Sequence, residues 1–122
     1  MTERLVRGIR GATSVGENTR EAILSATRGL LLAMQEANGF RPEDVVTAFF
    51  TLTPDLDAAF PAAAARELGW DAVPLFGAQE VAVPGTTCRC VRILVQVYTD
   101  REARAIQHLY LGEAAALRPD LP

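Results

Sequence analysis

The chain has 122 residues, of which 49% are hydrophobic and 22% charged, with a formal net charge of −3; this is the composition of one compact domain and excludes a multidomain machine. No run of ~18 apolar residues is long enough to span a membrane, the Met1–Arg4 opening is too polar for a secretory signal, and an acidic chain does not suit nucleic acid as principal partner. Two cysteines do not make a disulfide framework and point to the reducing cytoplasm.

In chain order, Leu5 to Ala12 reads as a first strand with Arg7 and Arg10 on opposite faces. Asn18 followed by Glu21 looks like a capping box. Ile23, Thr27, Leu30, Leu31 and Met34 recur at helical spacing up to Asn38-Gly39, a left-handed stop, so an amphipathic helix is predicted over roughly Thr19 to Ala37. Arg41 to Asp44 is a turn. Val45 to Leu52 is a continuous apolar, β-branched and aromatic run, the pattern of a buried central strand ended by Thr53-Pro54-Asp55.

Pro61 suits the start of a short helix over Ala62 to Leu68, closed by Gly69. Val73 to Phe76 and Gln79 to Val83 read as short strands either side of Gly77, Pro84-Gly85 as a turn, and Cys88 to Tyr98 as a long strand with Cys88, Cys90 and Arg92 alternating onto one face. A short helix from about Arg101 to Gln107 and a strand around His108 to Leu111 follow. The expectation is one α+β domain over residues 1–122, with a mostly antiparallel sheet, one long and two short helices, and a flexible C-terminal tail from about 117 to 122.

Little in this sequence can hold a metal or cofactor. His108 is the one histidine, Cys88-Arg89-Cys90 reads as strand packing, and neither a dinucleotide fingerprint nor a phosphate loop is present. What remains is arginine in unusual places: all twelve cations are Arg, with Arg7 and Arg10 in an apolar strand, Arg66 on an Ala-rich helix and Arg92 between Val91 and Ile93. Such guanidinium groups need partners. They form internal ion pairs with Glu67, Glu80 or Asp120, or simply face water from the strands, or converge on a small anion with two carboxylates. Spacing alone leaves these open.

The same residues carry a resemblance. Arg7-Gly8-Ile9-Arg10-Gly11-Ala12-Thr13, Thr53-Pro54-Asp55-Leu56 with Phe60-Pro61-Ala62, Gln79-Glu80, Cys90-Val91-Arg92, Tyr110-Leu111 and Leu117-Arg118-Pro119-Asp120 together resemble, in order along almost the whole chain, the monofunctional chorismate mutases of the trimeric α/β pseudo-barrel class. The resemblance implies the Claisen rearrangement of chorismate to prephenate, on the way to phenylalanine and tyrosine. That reaction needs no nucleophile, metal or cofactor. It also implies a cytoplasmic homotrimer with three interface sites and no nucleic-acid or membrane partner.

Carried over by resemblance, Arg92 would reach the ether oxygen and a carboxylate, Arg10 and Tyr110 would hold the enolpyruvyl carboxylate, and Glu80 would bind the ring hydroxyl. A neighbouring subunit would bring Phe60, Arg66, Leu75 and Phe76 to wall the cleft, with Gly77 contributing backbone, and Leu117 and Arg118 would belong to a closing tail. Two departures stand out: Ala63 and Gly77 replace residues that are often Lys and Cys in the family pattern. An imine/enamine deaminase-like trimer and a non-catalytic module for small dianions are the alternatives.

Overall fold

The protein is described here by a computed structural model covering residues 4–86 and 89–117. Five strands and two α-helices follow in the order β1 (Leu5–Ser14), α1 (Arg20–Asn38), β2 (Val45–Leu52), α2 (Ala62–Glu67), β3 (Leu75–Gln79), β4 (Cys90–Thr99) and β5 (Leu109–Leu111). Single 3₁₀ turns lie at Pro42–Asp44 and Ala103–Ala105, and a longer one spans Gly112–Leu117.

The strands form one sheet in the order β3-β2-β4-β1-β5. β4 is antiparallel to both of its neighbours, β1 and β2, whereas the edge strands join in parallel, β3 on β2 and β5 on β1. Four strands therefore point one way and β4 alone points the other. The α+β expectation holds, with parallel pairing at both edges as the feature that periodicity did not show. A parallel neighbour needs a crossover, and α2 supplies it between β2 and β3.

One sheet face is covered by α1. Ile23, Leu30, Leu31 and Met34 of the helix are fully buried with Ile9, Phe50, Val91, Val95 and Val97 of the sheet. Trp70, which follows α2, packs edge-on to Phe40 at 6.1 Å and closes the end of this core. Gly11 lets α1 come down onto β1: a Cβ there would lie 2.5 Å from Met34 Sδ and 3.2 Å from Leu30 Cδ1. At Gly8 the same addition meets only Leu94 Cδ1, at 3.5 Å.

Several expectations need correction. α1 is capped by Thr19, whose extended backbone lets its hydroxyl accept from the Ala22 N–H at 3.1 Å, and not by Asn18. Asn18 is engaged elsewhere: its amide oxygen accepts from the Asp57 and Ala58 N–H groups and its amide nitrogen donates to Asp57 Oδ1 at 2.7 Å. The two short strands around Gly77 are one strand running through it, because parallel pairing with Ala48 to Leu52 continues from Leu75 to Gln79. Residues 81–83 are not in a strand. The helix expected from Arg101 shrinks to the Ala103–Ala105 turn. Arg7 donates to the Arg101 carbonyl at 3.2 Å and Arg101 to the Ala37 carbonyl at 3.2 Å, so Arg7 is satisfied by backbone. Cys88, Arg118 and the remainder of the expected tail lie outside the described residues.

The start of β4 is held by a compact clamp. Thr53 Oγ1 donates to Asp55 Oδ1 at 2.6 Å and accepts from the Cys90 N–H at 2.9 Å, while both Asp55 oxygens accept from the Arg89 N–H at 3.0 Å. Arg89 sits at φ 46°, a conformation disfavoured for a side chain with a Cβ, and this carboxylate locks it there. The hydrogen bond from the Thr53 hydroxyl is the largest cause that lowers the Asp55 pKa, followed by the opposing effect of burial and then by the Arg89 N–H.

Two predictions follow from this packing. Gly11→Ala should destabilise the fold by about 1–3 kcal/mol, the usual cost of overpacking, in urea unfolding, with Gly8→Ala much milder. For Asp55 the native pKa lies below its unfolded value near 3.8, so its contribution is present at neutral pH and fades as pH falls through the native pKa. Asp55→Ala should therefore be less stable than the unmodified chain at pH 7, and the gap should narrow in acid unfolding below about pH 4.

Candidate active site

Strand pairing determines which side chains share a face. Across the sheet, Ala78, Thr51, Arg92, Ala12 and Tyr110 form one row, and Phe76, Phe49, Leu94 and Arg10 form the next. Residues opposite one another in paired strands point the same way. Arg10, Arg92, Tyr110 and Phe76 therefore lie on one face, the face that α1 leaves uncovered. None of them is adjacent to another in the chain.

Glu80 joins this face from the residue just after β3. Its backbone N–H donates to the Leu52 carbonyl at 2.7 Å, continuing the ladder, and its Oε1 lies 3.4 Å from Arg92 Nε. The Arg92 side chain is 47% exposed and that of Glu80 23%. A half-exposed, single-point pair of this length contributes little to stability; it orients the guanidinium while leaving it accessible. Cys90, two residues back on the same side of β4, is buried against Ala12 and Ala114 with Tyr110 alongside. Burial pushes the Cys90 thiol pKa up, with Arg92 pulling the other way, so the thiol stays protonated near neutrality.

The Tyr110 ring is half-buried in that small cluster, which fixes its position beside Ala12. His108, at the entry to β5, accepts the Arg10 N–H through Nδ1 at 3.0 Å. That bond ties the backbone of Arg10 while its side chain is exposed on the open face.

The remaining residues of the expected site stand elsewhere. Phe60, Arg66, Leu75 and Gly77 line a groove of about 880 Å³ between α2, the loop before it and β3, on the helix side of the sheet. Phe60 is 82% exposed at its mouth. Leu75 and Phe76 are neighbours in one strand and so face opposite ways: Leu75 opens into the groove, and Phe76 meets Phe49 edge-on at 6.2 Å on the open face. Within one chain, Arg10, Glu80, Arg92 and Tyr110 come together, and Phe60, Arg66 and Leu75 form a second group. Leu117 ends the Gly112–Leu117 turn.

Three residues that support the site have no role assigned from sequence: Thr53, Asp55 and Arg20. Thr53 and Asp55 read as the end of a strand and as part of a family block without a stated role, yet they anchor the segment that leads into Arg92; the Thr-Pro-Asp spacing was the available signal. Arg20 also lines the groove. It sits at the start of α1, far in sequence from Arg66 on the opposite wall, and no motif marks it.

A family model, chorismate mutase type I, matches residues 6–121. The chain is 52% identical over 118 residues to chorismate mutase AroH of Thermus thermophilus, covering 96% of this chain and 97% of that one. It is 48% identical over 118 residues to chorismate mutase AroH of Bacillus subtilis, covering 96% and 93%. A solved chorismate mutase from Clostridium thermocellum superposes with a TM-score of 0.88 at 44% identity, over 89% of this chain and 97% of the other. Neither a deaminase nor a binding module finds support in these similarities. With an arginine-bearing open sheet face, a full-length family match and a matching fold, the chain belongs to the type I chorismate mutases.

Proposed function

We propose that the protein converts chorismate to prephenate in a homotrimer, at three clefts each built from two chains. The observation that carries this reading is the division of the site residues between two faces of one sheet. The open face holds the Arg92–Glu80 pair, Arg10 and Tyr110, and it is also apolar: Val6, Phe49, Leu94 and Tyr98 are each more than a third exposed on it. A patch of this kind on an isolated chain suits contact with another protein surface. A second copy meeting this face would bring the groove of Phe60, Arg66 and Leu75 against Arg92 and close the cleft. The reaction is assigned to the cytoplasm, where the buried, unpaired Cys90 thiol stays reduced.

The chemistry asks only for shape and charge. Chorismate is a dianion whose enolpyruvyl arm must fold over the ring before the C–O bond breaks and the C–C bond forms. Arg10 and Tyr110 hold the enolpyruvyl carboxylate, Glu80 accepts from the ring hydroxyl, and the apolar walls keep the arm in the reactive chair. As the bond breaks, negative charge grows on the ether oxygen, and the Arg92 guanidinium stands ready to stabilise it without reorganising. Gly77 offers only backbone to the bound ring. By likeness to the family's pattern, Leu117 and Arg118 complete the set of substrate-binding residues.

Two measurements test this reading. Light scattering should return three times the 13.2 kDa chain mass, and Leu94→Glu, which puts charge into the open apolar face, should dissociate the assembly and abolish activity together. A fully active monomer would refute the interface site. Citrulline at position 92 keeps the shape of the side chain and removes its charge. It should lower kcat by ~10²–10³ or more, with KM little changed, and Arg92→Lys should fail nearly as badly because an ammonium lacks the planar fork. Wild-type kcat with citrulline in an intact trimer would leave conformational trapping as the sole source of rate.

A further inference from the structure

Arg20 is the first residue of α1, a position where a cation works against the fold. The N–H groups of a helix's first turn carry partial positive charge, and acidic residues such as the adjacent Glu21 are favoured there. No compensating contact is present: among the described residues the Arg20 side chain makes neither a hydrogen bond nor an ion pair. A local rule broken without structural return is a sign of a role outside the fold.

The surroundings of Arg20 supply that role. It lines the same groove as Arg66, so two helices each present a guanidinium to one cavity of about 880 Å³. Glu67, the acid beside Arg66, is taken by Arg28, whose Nη1 lies 2.7 Å from Glu67 Oε2. Asp57 is the one carboxylate among the lining residues, and its Oδ1 is held at 2.7 Å by the Asn18 amide. Charge along the wall is therefore net positive by one, above a floor that includes Phe50, Leu52 and Leu56. Low-dielectric walls of this kind focus a field onto an incoming anion.

We infer that Arg20 is a second substrate-guiding cation, which acts with Arg66 to draw the small dicarboxylate into the groove and has no part in the rearrangement itself. This rests on the reading of the groove as half of the substrate cleft. A steering charge acts on capture, so its effect belongs in KM and in the ionic-strength dependence of kcat/KM, and not in kcat.

The test compares steady-state kinetics of the intact protein with chorismate, between low and high salt, for Arg20→Gln, Arg20→Lys and Arg66→Gln. Arg20→Gln should raise KM about threefold or more at low salt, leave kcat unchanged and flatten the fall of kcat/KM with added salt. Arg20→Lys should restore both, since steering needs charge and not a fork. The melting temperature of Arg20→Gln should be equal or higher, because a cation has left the helix N-terminus. A KM and salt slope equal to those of the unmodified protein, a kcat that drops in step with kcat/KM, or a lysine variant that fails to restore KM would each overturn the inference. If Arg66→Gln also left KM untouched, the groove would not be the substrate's route, and the assignment of the cleft would fall along with that of Arg20.

Discussion

The two antiparallel ladders of β4 are the interaction on which the rest of this molecule depends. Lying between β1 and β2 and opposed to both, β4 makes ten pairings with the first and seven with the second, and it carries Arg92 in the middle of the sheet. A guanidinium on an edge strand or loop would have a mobile backbone beneath it. Here the Arg92 backbone is held on both sides, and the Thr53–Asp55 clamp holds the entry to the strand two residues earlier. Electrostatic stabilisation of a developing charge depends on such preorganisation, which makes the placement of Arg92 a property of the whole sheet.

Covering only one face of that sheet is the second constraint. α1 buries a wide apolar stripe against Ile9, Phe50, Val91 and Val95, and no α-helix among the described residues covers the other side, where only the Gly112–Leu117 turn packs over Ala12 and Cys90. The uncovered face holds both the arginines and the exposed apolar residues Phe49, Phe76 and Leu94. An apolar surface with embedded guanidinium groups is poorly matched to water and well matched to a second chain with an anion trapped between. On the proposed reading, fold, assembly and chemistry make the same demand on one surface, with Leu94 as interface and its row neighbour Arg10 as ligand contact.

The arginines divide by what they do for the chain. Arg7 and Arg101 are absorbed by backbone carbonyls, and Arg28 by Glu67; these arginines serve the fold. Arg10, Arg20 and Arg66 have side chains exposed to the open face or the groove. Counting arginines in the sequence could not separate the two kinds, because the distinction lies in whether a carbonyl or carboxylate from a distant segment arrives within reach.

Local pattern by itself determined a good deal. The 3.6-residue recurrence from Ile23 to Met34, the Gly39 stop and the apolar run of Val45 to Leu52 correctly predict α1 and β2, because burial of a stripe and conformational freedom at one glycine act over neighbouring residues. The ordered blocks from Arg7 to Asp120 carry the family, since each is a short run readable without knowing where it sits. The Thr19 cap, the single β3 strand through Gly77 and the parallel edges were decided by tertiary structure. Each turns on a partner far along the chain: Asn18 is claimed by Asp57 and Ala58, and Gly77 is held in strand by pairing with Phe50. The site divides in the same way, for the residue types were legible while their faces were not. The face shown by Arg10, Arg92 or Tyr110 is fixed by strand register, a one-residue slip would turn every one of them to the opposite side, and only the folded sheet chooses that register.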